Sequence, residues 1–364
     1  MKAHLLAFIC HLLVLGAVAL SVPRISPPPG SVIVRAGTTD TGEYASVQAA
    51  AQALPNDNST RSIFVYPGTY TGQVNITRPG ATYVCAPILR YSDEMSSDGM
   101  QIYGYTTDAS SYHNNVVNIV ASGTLTSAGS DDLSGSMRVQ SSGVRLYNIN
   151  VKNTYGPGVQ AIALSAYGSR FGAYGCGFYG YQDTLYSNQG TQVYLKSYIE
   201  GAVDFIFGRL GQAYFEGNTI AVSGYGCITA SGRQANNSAI YVFDRNEVVL
   251  ASDAQSGISG RIFLGRPWAD YARVIFKNTY ITAPMNNTMW SIWNPGDERT
   301  DNVLFAEYNS TGPGIPSNVQ RPNFATMLTA SQAAQYDITS VVGSGWEQWV
   351  DMAYLLDADV TGFD

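Results

Sequence analysis

The sequence is poor in histidine, in cysteine and in charge. It has three histidines and four cysteines, and 13% of its residues are charged, with a formal net charge of −7. Two histidines lie close to the N-terminus, which leaves His113 for any site in the rest of the chain. One histidine cannot build a zinc site from several imidazoles, and no Gly-x-Ser-x-Gly motif accompanies it. The acidic balance predicts no nucleic-acid partner, because nucleic acid requires basic patches.

Long apolar runs are also scarce, and the clearest one lies at the N-terminus. Lys2 precedes an apolar stretch of 16 residues from Leu5 to Leu20, which ends in small residues suited to cleavage. A membrane-spanning helix needs roughly 20 apolar residues, so this stretch is short for an anchor. We therefore predict a signal peptide over residues 1–21 and a secreted, extracellular protein with no membrane partner.

The cysteine content excludes a disulfide scaffold. Apart from Cys10 in the predicted signal, Cys85, Cys176 and Cys227 allow one internal disulfide, and buried free thiols are the simpler interpretation. The chain also has Asn-x-Ser/Thr sequons, which predict a glycoprotein if it is exported. The acceptor asparagines are Asn58, Asn75, Asn236, Asn286 and Asn309.

Short apolar runs separated by glycine, asparagine and aspartate dominate the rest of the chain. They include residues 144–151, 171–178, 193–199, 213–220 and 274–281. The ends of three runs, Phe178, Ile199 and Ile220, are spaced by 21 residues each. Antiparallel sandwiches also have closely spaced strands, but a repeat of this length without intervening helices predicts an all-β parallel β-helix, a solenoid.

The ends of the chain differ from this repeat. Residues 22–30 are a proline-rich lead, and residues 44–54 place apolar side chains at helical spacing up to Pro55. This is the one helix that the pattern predicts before the C-terminal region, and it suits the cap that a first rung requires. We expect residues 331–364 to pack on the β-helix as a tail, and residues 31–364 to form a single domain.

Two aspartates occupy matching positions on neighbouring rungs. Asp183 and Asp204 are 21 residues apart, and each follows the end of an apolar run. Neighbouring strands lie roughly 4.8 Å apart, so we expect the two carboxyl groups to be close. One pKa of such a pair is raised while the other group stays charged, which provides an acid and a nucleophile. Taken alone, Asp183 would be more typical of a turn residue that caps its own backbone.

Asp204 lies between Val203 and Phe205, in apolar surroundings where a charge requires a partner. Arg266 is a candidate partner, because a guanidinium binds a carboxylate through two hydrogen bonds and keeps it ionised. Trp268, close to this arginine, offers a flat face for a sugar ring, and core packing is the equally weighted alternative.

Glutamine side chains complete the pattern. Gln182 is next to Asp183, and Gln160 begins the preceding rung. Side-chain amide groups beside paired carboxylates can donate hydrogen bonds to an oxyanion that forms during a reaction. Ester hydrolysis without histidine needs such donors together with a carboxylate nucleophile and a protonated partner. Each glutamine taken alone is more typical of an amide stacked between rungs.

The motifs that contain these residues resemble the signature motifs of the pectin methylesterases. They are Gln160-Ala-Ile-Ala-Leu164, Gly180-Tyr-Gln-Asp-Thr-Leu-Tyr186, Asp204-Phe-Ile-Phe-Gly208 and Leu264-Gly-Arg-Pro-Trp268, in the order of the family. The resemblance runs from about Val32 to the tail. It implies a right-handed parallel β-helix that hydrolyses the methyl esters of polygalacturonate and releases methanol. It further implies a methylated homogalacturonan substrate, water as the co-substrate, no metal or other cofactor, and a monomer.

The resemblance also implies a role for each residue of the pattern. Asp204 would be the nucleophile that forms an acyl-enzyme. Asp183 would protonate the departing methanol and then activate water. Gln160 and Gln182 would bind the oxyanion, and Arg266 would orient the nucleophile and keep it charged.

By the same resemblance, Trp268, Trp293 and Tyr181 would bind the substrate, with Trp290 as a rival to Trp293. One motif departs from the family, because Gly68-Thr69-Tyr70-Thr71-Gly72 has glycine where the family usually has glutamate. The esterase region follows soon after the predicted signal, which resembles microbial, and specifically fungal, secreted members of the family.

Other functions compete with this one. Paired carboxylates about 5 Å apart also describe a retaining glycosidase. A polygalacturonase would need a Gly-His-Gly motif, which a chain left with His113 cannot form. A pectate lyase would need a cluster of calcium-binding acids. A carbohydrate-binding solenoid without catalysis could use Trp268 and the tyrosines, but it would leave the aspartates, the arginine and the glutamines unexplained.

Overall fold

A computed structural model describes residues 22–79 and 99–356 of the chain. In this part, neighbouring strands of three sheets pair in parallel, and successive strands of a sheet come from successive rungs. The fold is a right-handed parallel β-helix, which confirms the prediction from the sequence. The predicted signal peptide and Cys85 lie outside the described residues.

The strands are distributed over three sheets, here called sheets 1, 2 and 3. Among the described residues, sheet 1 contains Val32–Val34, Glu43–Tyr44, Arg61–Val65, Met100–Gly104, Val144–Tyr147, Phe171–Tyr174, Gln189–Leu195, Leu210–Glu216, Ile240–Asp244, Arg273–Lys277, Leu304–Tyr308 and Ala325–Met327. Sheet 2 contains Gly68–Thr71, Val117–Ala121, Asn150–Asn153, Gly177–Tyr179, Tyr198–Gly201, Thr219–Val222, Glu247–Leu250 and Tyr280–Ile281. Sheet 3 contains Val74–Ile76, Met137–Val139, Leu164–Ala166, Leu185–Ser187, Ile206–Gly208, Gly226–Ser231 and Ile262–Pro267.

The apolar runs of the sequence are not single strands. Each run bends near its middle, and its halves belong to sheets 1 and 2, as in Phe171–Tyr174 and Gly177–Tyr179. The residues at the bends have φ angles from 49° to 64°; they are Asn148, Gly175, Lys196, Gly217, Arg245, Asn278 and Asn309. Most of these are not glycine, so the sequence does not mark the left-handed conformation that turns the chain.

The register of the strands confirms the 21-residue repeat. Phe178 pairs with Ile199, and Ile199 pairs with Ile220. Sheet 3 keeps the same offset, because Leu185 pairs with Ile206. Residues that are 21 positions apart therefore lie side by side on this part of the β-helix.

Like side chains stack at the rung spacing inside the β-helix. Tyr194, Phe215, Phe243 and Phe276 form one stack, with ring centroids 4.7, 4.4 and 4.3 Å apart in that order. All four side chains are fully buried. Offset aromatic contacts of this kind add to the burial of apolar area and fix the rungs against one another.

The N-terminal cap is a helix, as predicted, but a shorter one. It spans Val47–Ala53, and the side chain of Ser46 caps it. Two further one-turn helices, Leu125–Ala128 and Asp131–Ser134, show that the prediction of one helix before the C-terminal region is wrong. A single turn has no helical periodicity to detect, and side-chain caps rather than amphipathic packing define these two.

The C-terminal tail packs on the outer face of sheet 1, as predicted. Its described helices are Ala330–Ala333, Ile338–Val342, Trp346–Gln348 and Met352–Tyr354. The backbone carbonyl of Trp349 accepts a hydrogen bond of 2.9 Å from Nε of Arg145 in the sheet. The proline-rich segment, residues 22–30, also contacts the β-helix, because Arg24 donates a 2.8 Å hydrogen bond to Asn148. None of the helices in the described ranges is long and apolar enough to cross a membrane.

We predict that Phe243→Ala destabilises the fold by about 3–5 kcal/mol, because it removes the centre of the aromatic stack and leaves a cavity. Urea unfolding followed by circular dichroism measures the free energy of unfolding. Met327→Ala is the control, since Met327 is 55% exposed and should change stability by less than about 0.5 kcal/mol. A loss below about 1 kcal/mol for Phe243→Ala would show that the stack does not hold the rungs together.

Candidate active site

A cavity of about 220 Å³ opens at sheet 3. It is lined by Asp131, Gln160, Gln182, Asp183, Asp204, Phe207, Ala230, Arg266, Trp268 and Trp293. Seven of the eight site residues predicted from the sequence are in this set. Tyr181 is the exception: its hydroxyl group donates a 3.3 Å hydrogen bond to Gln255, and a role for it in binding stays a prediction.

The two aspartates occupy equivalent corners on adjacent rungs. Each lies two residues before a strand of sheet 3, in the left-handed conformation, with φ of 65° for Asp183 and 51° for Asp204. Their amides donate to the next rung, with Asp183 bonded to the carbonyl of Val203 at 3.0 Å and Asp204 to that of Cys227 at 2.8 Å. Both residues are at most 7% exposed. Aspartate tolerates this conformation, and the bends between sheets 1 and 2 use it as well, so these φ angles mark places where the chain turns.

Arg266 binds Asp204 through both carboxylate oxygens. Its Nε donates to Oδ1 at 2.9 Å and its Nη2 donates to Oδ2 at 2.6 Å. Arg266 belongs to the strand Ile262–Pro267, two strands away from the rung of Asp204, and the residue paired with it on the intervening strand is Ala230. A small side chain at that position leaves space for the arginine to reach across. This bidentate geometry is the strongest kind of carboxylate contact.

The two aspartates differ in their electrostatic surroundings. Burial, with the negative charges of Asp204 and Asp131, raises the pKa of Asp183 well above its usual value, and Arg266 opposes this. Burial also raises the pKa of Asp204, but the hydrogen bonds and charge of Arg266 lower it. The cavity therefore holds a proton on Asp183 more readily than on Asp204. The two carboxyl groups of the cavity therefore differ in how readily they ionise.

Asp131 is a third carboxyl group of the cavity, and the sequence reasoning missed it. Its Oδ1 atom is buried and has no hydrogen-bond partner in the described part of the chain. Burial raises the pKa of Asp131, and the charge of Arg209 opposes this. No repeat or motif links this residue to Asp183, because it begins a one-turn helix inserted between rungs. Its position depends on how that insertion folds back over sheet 3.

Gln160 and Gln182 lie on consecutive rungs next to the aspartates. The backbone carbonyl of Gln182 accepts a 3.1 Å hydrogen bond from the amide of Ala161, the neighbour of Gln160. Both side chains line the cavity, and no hydrogen bond within the described ranges engages either side-chain amide. Two amide groups are thus available to donate to a ligand oxygen in the cavity.

Phe207 and Trp268 line the cavity and belong to an aromatic cluster that includes Tyr186. Tyr186 and Phe207 stack with centroids 4.3 Å apart, and the ring of Trp268 lies 6.0 Å from that of Phe207. The guanidinium carbon of Arg209 lies 3.6 Å from the centre of the Trp268 ring. Gly232 is required beside them, because a Cβ there would come within 2.5 Å of the Trp268 ring. Phe207 was missed in the sequence, although its 21-residue offset from Tyr186 could have indicated it.

Trp293, rather than Trp290, is the second tryptophan of the cavity. Trp290 is fully buried, and its Nε1 donates a 2.9 Å hydrogen bond to Glu307. The Trp293 ring lies 4.3 Å from the guanidinium of Arg266 and 4.9 Å from that of Arg299. Trp293 therefore contacts the arginine that binds Asp204, and cation–π contacts of this kind help to hold a guanidinium in place.

The two described cysteines, Cys176 and Cys227, are buried and free, as the simpler interpretation of the sequence expects. Burial raises the pKa of the Cys176 thiol to about 11 and raises that of Cys227 well above its usual value. Both are therefore protonated, inert thiols at neutral pH.

Comparisons with known proteins identify relatives of this chain. Residues 112–345 match the family described as Pectinesterase. A pectinesterase of Aspergillus niger is 37% identical over 345 residues, which cover 93% of this chain and 96% of the relative. A pectinesterase of Aspergillus aculeatus is 37% identical over 342 residues, which cover 92% and 96%.

Solved structures give the same assignment. The pectin methylesterase of Aspergillus niger in deglycosylated form has a TM-score of 0.78 at 36% identity, covering 91% of this chain and all of that one. The pectin methylesterase from carrot has a TM-score of 0.72 at 24% identity, covering 87% and 94%, and supports the fold alone.

We predict that Asp131→Asn lowers the pKa of Asp183. The amide removes a negative charge that disfavours ionisation of Asp183, so the proton leaves at a lower pH. A carbon-detected NMR titration of the side-chain carboxyl groups measures this, with the Asp183 signal identified by its loss in Asp183→Asn.

The matched control is Asp132→Asn, since Asp132 is the next residue but forms an ion pair with Arg138 and does not line the cavity. It should leave the pKa of Asp183 nearly unchanged. An unaltered pKa in Asp131→Asn, or an equal decrease in both variants, would contradict the electrostatic role of Asp131.

Proposed function

The chain belongs to the pectinesterase family, and we propose that its cavity hydrolyses the methyl esters of polygalacturonate through an aspartyl acyl-enzyme. De-esterification of pectin is the function of this chain, which is a carboxylic ester hydrolase. The mechanism is supported mainly by the bidentate contact between Arg266 and Asp204, beside a second aspartate with a strongly raised pKa.

The first half of the reaction is acylation of Asp204. Its carboxylate attacks the carbonyl carbon of the ester, and the tetrahedral oxyanion accepts hydrogen bonds from the amides of Gln160 and Gln182. Collapse breaks the bond to the methoxy group, which takes the proton of Asp183 and leaves as methanol. Asp204 is left joined to the galacturonate carbonyl as an anhydride. Arg266 acts as a positioning residue that keeps the nucleophile ionised and fixes both of its oxygens.

The second half is hydrolysis of this acyl-enzyme. Asp183, now a carboxylate, takes a proton from water, and the resulting hydroxide attacks the galacturonate carbonyl carbon. The bond to Asp204 breaks, and the released product is a free galacturonic acid. Asp183 holds its proton again, so one ester and one water give one acid and one methanol.

The raised pKa of Asp183 suits both halves of this cycle. A carboxyl group with an ordinary pKa would be ionised at mildly acidic pH and could not protonate methoxide. Burial and the neighbouring carboxylates keep the proton in place before acylation and make Asp183 a stronger base afterwards. Arg266 forms its ion pair with Asp204. For this reason we assign the nucleophile to Asp204 and the general acid to Asp183.

We assign substrate binding to the aromatic residues that line the cavity. Trp268, Trp293 and Phe207 line the cavity and provide apolar faces near the nucleophile, which suit the C–H face of a galacturonate ring. Tyr181 lies outside the cavity lining, and a role for it in binding stays a prediction.

We also propose that the protein is a secreted, monomeric glycoprotein that acts on methylated homogalacturonan. The predicted signal and the fungal relatives support secretion. Among the sequons, Asn58, Asn236 and Asn309 are exposed and suit glycosylation, whereas Asn75 and Asn286 are partly buried.

We predict that Asp204→Asn and Asp183→Asn each reduce methanol release from highly methylated pectin by at least about 10³-fold, because each removes one chemical role from the cycle. Methanol measured by coupled oxidation reports the rate, and circular dichroism checks the fold. Asp40→Asn is the control and should retain activity, because Asp40 is exposed and lies near the N-terminal end of the β-helix.

Substantial turnover by either variant would refute the assigned mechanism. The wild-type protein should release methanol without new reducing ends or unsaturated ends. New reducing ends would indicate a glycosidase, unsaturated ends would indicate a lyase, and binding without products would indicate a carbohydrate-binding solenoid.

A further inference from the structure

A short loop beside the catalytic cavity, residues 293–299, begins with the second tryptophan of the cavity lining, Trp293. Within this loop the amides of Asn294 and Asp297 each donate to the carbonyl of the other, at 3.1 and 3.0 Å. The two residues form an antiparallel bridge, so the loop closes as a tight hairpin. Arg299 ends the loop, and the mechanism above gives its side chain no role.

The guanidinium of Arg299 is held by the carboxylate of Asp297. Its Nε donates to Oδ1 at 3.0 Å and its Nη2 donates to Oδ2 at 2.6 Å. The third nitrogen, Nη1, donates to the backbone carbonyl of Trp268. Each nitrogen of the guanidinium therefore donates a hydrogen bond to the protein, and Arg299 is not part of the cavity lining. This geometry indicates an arginine that acts on other residues rather than on a substrate.

Two tryptophans of the cavity lining contact this one guanidinium. It is bonded to the carbonyl of Trp268, and its carbon lies 4.9 Å from the centre of the Trp293 ring. The amide of Trp268 donates to Ser231 at 3.0 Å, so the backbone of this tryptophan is held from both sides. The Trp293 ring also lies 4.3 Å from the guanidinium of Arg266. Arg299 therefore connects two aromatic residues on the wall of the catalytic cavity.

The segments that contain these tryptophans lie on neighbouring rungs. The amide of Ser291 donates to the carbonyl of Gly265 at 3.0 Å, and this is the last backbone hydrogen bond between the two segments in the described part of the chain. Neighbouring strands are roughly 4.8 Å apart, a distance that one guanidinium can span. Beyond that hydrogen bond, side-chain contacts set the spacing of Trp268 and Trp293, and Arg299 contacts both residues.

The ion pair between Arg299 and Asp297 contributes little to the stability of the fold. The two side chains are 28% and 52% exposed, and pairs in such positions contribute roughly 0–1 kcal/mol. The hairpin also lies at the surface, with residues 294–298 exposed. Orientation of the two tryptophans accounts for the contacts of Arg299 better than a contribution to stability.

We propose that Arg299, oriented by Asp297, is a positioning residue that fixes the spacing of Trp268 and Trp293 at the catalytic cavity. The inference rests on the proposed function and adds a determinant of substrate affinity to it. Because the spacing is fixed beforehand, the substrate does not have to order the two rings when it binds. Without Arg299 the substrate must order them, so binding weakens while Arg266 and the two aspartates keep their geometry.

The test uses Arg299→Gln, which removes the guanidinium and keeps a polar side chain. We expect KM for highly methylated pectin to rise roughly 3- to 10-fold, the size of one charge-assisted hydrogen bond at a partly exposed site. The value of kcat should change by less than about 2-fold, because equal loss of binding in the ground state and the transition state raises KM alone. The second readout avoids turnover: calorimetry in the Asp183→Asn background should show the Kd of fully methylated hexagalacturonate rising by the same factor as KM.

Two further variants test whether Arg299 acts through the tryptophans. Asp297→Asn leaves the arginine in place but removes the charge of its partner, and it should raise KM by a smaller factor. In the Trp293→Ala background, Arg299→Gln should raise KM by less than about 2-fold, because one of the two residues that it positions is absent. A merely structural role would give the same factor in both backgrounds.

Arg35→Gln is the matched control. Arg35 is bound to Glu43 through hydrogen bonds of 2.8 and 2.9 Å and lies 3.6 Å from the centre of the Tyr66 ring, at the N-terminal end of the β-helix. The substitution removes the same kind of contact from a rung that does not contribute to the cavity, so KM and kcat should stay unchanged. Urea unfolding of every variant checks that it is folded.

An unchanged KM and an unchanged Kd in Arg299→Gln would overturn the proposal. A fall in kcat without a rise in KM, an undiminished effect in the Trp293→Ala background, or an equal change in Arg35→Gln would also overturn it. Failure of the proposed function looks different, because it would appear as methanol release by Asp204→Asn or as no methanol release by the wild-type protein. In that case the Kd still tests the positioning role of Arg299.

Discussion

The in-register stacking of rungs of equal length is the constraint on which the site depends. Two consecutive rungs have 21 residues each, so the parallel ladder places Asp183 beside Asp204. The same ladder stacks Tyr186 on Phe207 and the aromatic rings of the interior on one another. A single inserted residue in either rung would separate the two carboxyl groups, because a shift by one position also turns a side chain to the other face of the strand. Insertions are instead accommodated in rungs before and after this pair.

Burial and Arg266 together make two identical residues electrostatically different. Both carboxyl groups are removed from water, which disfavours the charged form of each. Arg266 donates hydrogen bonds to Asp204 from both Nε and Nη2. The free-energy cost of burying a negative charge is therefore offset more at Asp204 than at Asp183. Asp131 increases the difference, because its charge acts on Asp183. In the proposed mechanism, this difference takes the place of a histidine base.

Arginines on aromatic rings organise the surroundings of the pair. Arg266 lies against Trp293, Arg209 covers Trp268, and Arg261 lies on Tyr225. In the first case the contact holds a guanidinium that is also bound to a carboxylate. In the last case the guanidinium lies against a half-exposed ring.

The sequence by itself determined the β-helix, its 21-residue repeat, the capping helix, the C-terminal tail and seven residues of the cavity lining. It could do so because residues one repeat apart in sequence become neighbours in space when strands are parallel and in register, and because the motifs resemble those of the pectin methylesterases, which alone indicated Trp293. It could not reveal the bends at residues such as Lys196 and Arg245, whose left-handed conformation has no composition signal. It also could not place Asp131, which reaches the cavity through a one-turn helix outside the repeat, or exclude the buried Trp290 as a rival to Trp293. Those positions depend on how insertions fold back over sheet 3 and on what they pack against, and only the tertiary structure decides that.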